Sequence, residues 1–271
     1  MKYLSNIILL LLAATILSSC KTTPYSNDPD TIPGFKKVLV KGGGFLITTY
    51  QKIENAQEPY VFYIEGDGAA FSGRYRVSAN PTPRKRMFIN LATMDTRPNI
   101  VYVARPCQYT PMHLNPKCNM QYWTSKRLSD DSVQSINDVI NSINNNHKFS
   151  LIGYSGGGGI AVLVAARNSM TKDIITVAGN LDHKAFTTFH NVTPMDGSLN
   201  PIDYTQQIRH IPQLHLSGEK DKVVPPLIAD KFVQESMSSC VKQEVYEGVS
   251  HRNGWKKAWE HLLKKSIDCH K

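Results

Sequence analysis

The chain has 271 residues and a formal net charge of +9, with 41% hydrophobic and 20% charged residues. That is ordinary for a globular protein and long enough for one large α/β domain, which argues against a disordered or fibrous chain. No repeat or low-complexity tract stands out, and the basic residues are scattered rather than interleaved with aromatics, which argues against a nucleic-acid partner.

Residues 1–19 read as a secretory signal. Lys2 supplies the positive start, and the apolar run 7–17 is too short to span a bilayer comfortably. The run ends in Leu17-Ser18-Ser19-Cys20, which resembles the lipobox of bacterial lipoproteins. That resemblance implies cleavage before Cys20, a lipid on its thiol and a membrane anchor. Lys21, a residue other than Asp, then implies the periplasmic side of the outer membrane in the Gram-negative envelope. An ordinary cleaved signal and an N-terminal anchor helix are the alternatives. Loss of Lys2 leaves a net charge of +8, which suits a site beside an anionic membrane. Residues 20–34 are polar with several prolines and read as a tether, leaving 35–271 as the domain.

Cys107, Cys118, Cys240 and Cys269 remain after the signal. An even number in an exported chain reads as disulfides, and of three pairings we expect Cys107–Cys118 and Cys240–Cys269. No CxxC or His-rich spacing accompanies them, so no metal is implied.

Residues 37–40 and 45–50 alternate around Gly42-Gly43-Gly44 and predict two antiparallel opening strands. Residues 60–64 form a compact apolar strand ending in Glu65-Gly66-Asp67-Gly68, 83–92 fit a helix, and 100–104 a further buried strand. Residues 129–145 place Val133, Ile136, Val139, Ile140 and Ile143 on one helical face behind a Ser129/Asp130 start. Strands are expected at 174–178, 213–216 and 244–246, with helices at 227–237 and 255–267. Alternating strands and helices predict a mostly parallel sheet covered on both faces, with ligands at the carboxyl ends of the strands.

The central stretch runs from Lys148 to Ala166, KFSLIGYSGGGGIAVLVAA. An apolar strand at 149–152 meets Gly153-Tyr154-Ser155-Gly156-Gly157 and then a helix over 158–166. G-x-S-x-G between strand and helix is a nucleophile elbow, in which a serine sits on strained backbone that crowding neighbours would not tolerate. Gly156-x-Gly158-x-x-Ala161 also fits a dinucleotide fingerprint, but several strands precede it, whereas that motif follows the first strand. No Gly-Lys-Ser/Thr follows, which excludes an ATPase-type phosphate loop.

Two further strand ends carry polar residues. Asp221 follows 213–216 in SGEKDKVVP, and His251 follows 244–246 in GVSH. Their order, Ser then Asp then His, resembles that of the α/β-hydrolase superfamily over nearly the whole mature region. The resemblance implies an α/β-hydrolase fold and a triad of Ser155, Asp221 and His251. The histidine takes the serine proton and the carboxylate fixes the histidine tautomer. Glu219 is the rival acid, and His215, within a strand, is expected to face the core or a helix.

An oxyanion hole is also required. Gly156 N–H is one expected donor and Asp67 N–H the other, with Gly68 as alternative. Relatives commonly carry His-Gly-x where this chain has Glu65-Gly66-Asp67. Two carboxylates beside a forming oxyanion oppose it. They must point away, be neutralised by arginines such as Arg74, Arg76 or Arg105, or meet a cationic substrate; the salt-bridged reading is preferred. A short lid is expected at 179–212, and Phe186, Phe189, Met195, Leu199, Tyr109 and Trp123 are candidate pocket walls. The reading is a lipid-anchored serine hydrolase acting on a small-molecule or lipid-like carboxylic ester. No metal or organic cofactor is implied. Peptide or thioester substrates, or a non-catalytic binding role on the same fold, are the alternatives.

Overall fold

Alternation along the strands builds two apolar layers at once. In the strand Tyr60–Ile64, Tyr60, Phe62 and Ile64 join one layer while Val61 and Tyr63 join the other. In the strand Asn99–Val103, Val101 and Val103 separate from Ile100 and Tyr102 in the same way. Successive side chains of a strand point to opposite faces, so strands apolar at every position must be covered on both sides.

A computed structural model describes residues 31–73 and 75–269. The signal 1–19, Cys20, the tether to residue 30, and Arg74 lie outside the described residues. The strands are β1 (Lys36–Gly42), β2 (Phe45–Ile53), β3 (Tyr60–Ile64), β4 (Asn99–Val103), β5 (Phe149–Tyr154), β6 (Thr171–Val177), β7 (Gln213–Gly218) and β8 (Val241–Tyr246). They form one sheet in the order β1-β2-β4-β3-β5-β6-β7-β8. β2 runs antiparallel to β1 and β4, and every other pairing is parallel. This is the mostly parallel α/β-hydrolase architecture expected from the sequence.

The helices are α1 (Met87–Thr93), α2 (Asp130–Ile143), α3 (Gly156–Ala165), α4 (His183–His190), α5 (Thr205–Ile208), α6 (Leu227–Ser236) and α7 (Trp255–Leu262). α2, α3 and α6 supply Val133, Ile136, Ile160, Leu163, Ile228 and Phe232 to one layer. α1 and α7 supply Phe88, Leu91, Trp255 and Trp259 to the other. Each fully buried side chain of this size contributes about 2–3 kcal/mol. Ser129 caps α2 by accepting from Ser132 N–H, and Asp130 and Asp131 complement the positive end of its dipole.

Element boundaries differ from expectation in several places; β6 and β8, for example, each begin three residues early. α1 starts at Met87 rather than 83, because residues 81–83 are pinned to neighbouring loops. Pro81 O accepts from Ala69 N–H, and Thr82 Oγ1 accepts from Tyr109 N–H. α7 stops at Leu262, and the chain runs on to Cys269, which is bonded to Cys240. Ile32 is buried and its carbonyl accepts from Phe35 N–H, so the last residues of the expected tether already pack on the domain. The other disulfide joins Cys107 to Cys118. Both pairs are those expected.

Candidate active site

Ser155, Asp221 and His251 each sit just past the carboxyl end of a strand, β5, β7 and β8 respectively. Ser155 occupies φ 52°, ψ −121° between β5 and α3. A non-glycine residue there stores about 1–3 kcal/mol of strain and must be held from outside. Ser155 N–H donates to Val177 O at 2.9 Å, and Ser155 O accepts from Gly158 N–H at 3.0 Å and Asn180 N–H at 2.9 Å. The helix starts at Gly156, two residues before the expected start. Its glycines answer close approach: a Cβ at 157 would collide with the carbonyls of Ile64 and Glu65, and one at 156 with the Asp67 carboxylate. Four successive glycines cost a helix about 4 kcal/mol relative to alanine. Complete burial of all ten residues of α3 offsets that loss.

His251 Nδ1 lies 2.8 Å from Asp221 Oδ2, and both side chains are buried. The other Asp221 oxygen accepts from Val223 N–H at 2.8 Å and Val224 N–H at 2.9 Å. Backbone thus sets the carboxylate and the carboxylate sets the ring. Two donors fix the next link: the half-buried Tyr154 OH and the buried Trp255 Nε1 both donate to His251 O, at 3.0 and 3.1 Å. The rival Glu219 instead accepts from Gly248 N–H at the surface. His215 faces the core as expected, bonded to Thr176 Oγ1 at 2.9 Å, and burial pulls its pKa down to about 3.

Ser155 and His251 line one cavity of about 390 Å³, walled by Phe71, Pro83, Met87, Phe88, Phe186, Val223 and Val224. Of the expected walls, Phe186 is in place. Met195, Tyr109 and Trp123 are buried in packing, Leu199 packs against the core, and Phe189 is exposed. The aromatic expectation fails for Trp123 because its Nε1–H is committed to Ser78 O at 3.0 Å. Helix α4 of the lid was missed, although Asp182 caps it by accepting from Lys184 and Ala185 N–H, a sequence-readable signal.

Neither carboxylate after β3 points away from the site. Asp67 lies against the Gly156 backbone and is held by Arg127 at 2.8 Å and Arg105 at 3.5 Å. Arg105 also donates to Arg127 O, and burial lowers its pKa to about 10. Arg76, one of the expected partners, instead bonds Ser72 Oγ. Glu65 accepts from Gly66 N–H at 2.7 Å and from Tyr102 OH. Burial raises its pKa to about 8, so it is largely a neutral acid at neutral pH. Sequence reasoning missed Arg127: it stands 60 positions from Asp67, and no local pattern marks it.

Fold and site together define an α/β serine hydrolase. The chain belongs to the serine hydrolase (FSH1) family, whose model matches residues 84–252. No curated protein sequence matches the chain. Among solved structures it resembles Est1E from Butyrivibrio proteoclasticus, with 14% identity over 85% of this chain and 96% of that one at TM-score 0.56. Esterase Pf2001 of Pyrococcus furiosus aligns at 14% identity over 84% of this chain and 88% of that one, TM-score 0.60. A puromycin-hydrolysing peptidase of Mycobacterium tuberculosis aligns at 16% identity over 86% of this chain and 40% of that one, TM-score 0.57. At these identities the likeness concerns the fold.

Proposed function

We propose that this serine hydrolase cleaves carboxylic esters through an acyl-enzyme on Ser155. The observation that carries the reading is a strained serine sharing one cavity with a histidine whose far nitrogen is fixed on a buried carboxylate. With Nδ1 turned to Asp221, Nε2 is left to take the Ser155 proton as Oγ bonds to the ester carbonyl carbon. The carbonyl electron pair moves onto oxygen, where the N–H groups of Gly156 and Asp67 receive it. On collapse the alkoxy group leaves with the proton from His251. Water, deprotonated by His251, then attacks the acyl carbon and releases the acid and Ser155.

Asp67 supports this reading only because its charge is cancelled. Bound between Arg105 and Arg127, its carboxylate brings little net charge to the oxyanion, so that its backbone N–H can serve as the donor this reading assigns to it. The apolar walls suit an acyl chain. A panel of p-nitrophenyl esters of increasing chain length tests the substrate class. We expect hydrolysis by the wild type and its loss in Ser155→Ala; full hydrolysis by that variant refutes the mechanism.

The sequence also supports anchoring through a lipid on Cys20 at the periplasmic face of an outer membrane. Palmitate labelling that persists in Cys20→Ala would refute the anchor.

A further inference from the structure

The cavity beside Ser155 is unevenly charged. Arg84, Lys85, Arg127 and Arg252 line it, and the acids that line it are Glu65 and Asp67. Both acids are already answered. Glu65 is buried against Tyr102 OH and Gly66 N–H, and Asp67 is bound by Arg105 and Arg127. That use of Arg127 leaves Arg84, Lys85 and Arg252, all exposed, and among the described residues no ion pair takes any of them. The chain has 22 acidic residues, yet no exposed carboxylate lines the cavity.

Position adds to composition. Arg252 follows His251 directly, and its guanidinium shares a hydrogen bond with the Tyr154 hydroxyl, next to the nucleophile, which leaves the rest of its fork to the cavity. Arg84 and Lys85 stand on the loop that leads into α1, which also supplies Pro83 and Met87 to the wall. A second cleft of about 470 Å³ shares Met87 and Arg252 and continues over Leu91, Met94 and Trp255. Arg252 therefore borders both clefts.

We infer that the cavity selects esters whose substituent carries an anionic oxygen group, a carboxylate or phosphate, recognised by Arg84, Lys85 and Arg252. This deepens the ester-hydrolase reading and rests on it. The apolar walls hold the carbon chain while the three cations meet its charged end. Guanidinium forks match carboxylate and phosphate oxygens, and water in the open mouth limits each contact to a modest gain.

The test compares two esters of equal chain length, p-nitrophenyl valerate and the mono-p-nitrophenyl ester of glutaric acid. The readout is the ratio of kcat/KM for the anionic over the neutral ester. We expect the wild type to favour the glutarate half-ester by about tenfold at low ionic strength, and the ratio to approach one at about 0.5 M salt. In Arg84→Gln/Lys85→Gln/Arg252→Gln the ratio falls about tenfold. Because Arg252 adjoins His251, Arg84→Glu/Lys85→Glu is the second variant, and it should favour the neutral ester. A wild-type ratio near or below one, or a ratio that neither variant moves, overturns the inference and leaves the ester hydrolase standing. Folded wild type that cleaves neither ester overturns the ester reading, and this inference with it.

Discussion

Two loops at the same edge of the sheet bring carboxylates to Ser155, and the protein treats them in opposite ways. After β7, Asp221 takes two backbone N–H groups on one oxygen and the His251 ring on the other. After β3, Asp67 is bound by two arginines and Glu65 is buried to the point of holding its proton near neutral pH. A carboxylate aimed at an imidazole stabilises the charge that forms on the base. A carboxylate beside the oxyanion opposes charge, and is tolerated only once cancelled. The partner, not the residue type, decides which role a carboxylate plays.

The largest expected effect breaks the first loop. Asp221→Asn keeps an oxygen for Val223 and Val224 but fixes the wrong histidine tautomer, so kcat should fall by about 10³-fold to 10⁴-fold with the fold intact. Steady-state kinetics with a circular dichroism spectrum check both halves.

The second loop gives the next effects. Glu65 has a folded pKa of about 8 against an ordinary value of 4.5, so the folded state holds more protons across that window. Stability is therefore fully present below about pH 4.5, falls as pH rises, and levels off above about pH 8. Glu65→Gln, which cannot ionise, should gain a few kcal/mol over the wild type at pH 9 and almost nothing at pH 4. Denaturant unfolding at the two pH values reads the difference; an equal effect at both contradicts a buried neutral acid. The wild-type kcat should also fall above about pH 8, as a new charge appears beside Asp67 and Arg105, and Glu65→Gln should flatten that limb.

A smaller effect follows from Arg127. Arg127→Gln leaves Asp67 with Arg105 alone and should lower kcat about tenfold to a hundredfold. Asp67→Asn in the same chain should restore part of that loss. A double-mutant cycle measures the coupling, and strictly additive losses contradict neutralisation as the function of Arg127.

The same contrast explains what the sequence disclosed. Ser155 and Asp221 each follow a buried strand within a few positions, so periodicity and glycine spacing locate them, whereas β8 is a largely polar edge strand and His251 is located by its place after the acid in the late GVSH loop. The strand set follows from the same local signal. Arg127, by contrast, meets Asp67 across 60 residues from the segment that leads into α2, which docks on β1, β2 and α3, and nothing near either residue announces it. The start of α1 was misjudged for a similar reason, since residues 81–83 are fixed by bonds to Ala69 and Tyr109 rather than by their own propensity. Arg84 and Lys85 lie side by side in the sequence, but only the folded loop turns them to the cavity.

Intact-mass and peptide mapping after fluorophosphonate treatment tests the nucleophile most directly. The account predicts one adduct per chain, on Ser155, absent in Ser155→Ala and formed far more slowly in Asp221→Asn. An adduct on another residue, or undiminished labelling of Ser155→Ala, would contradict it.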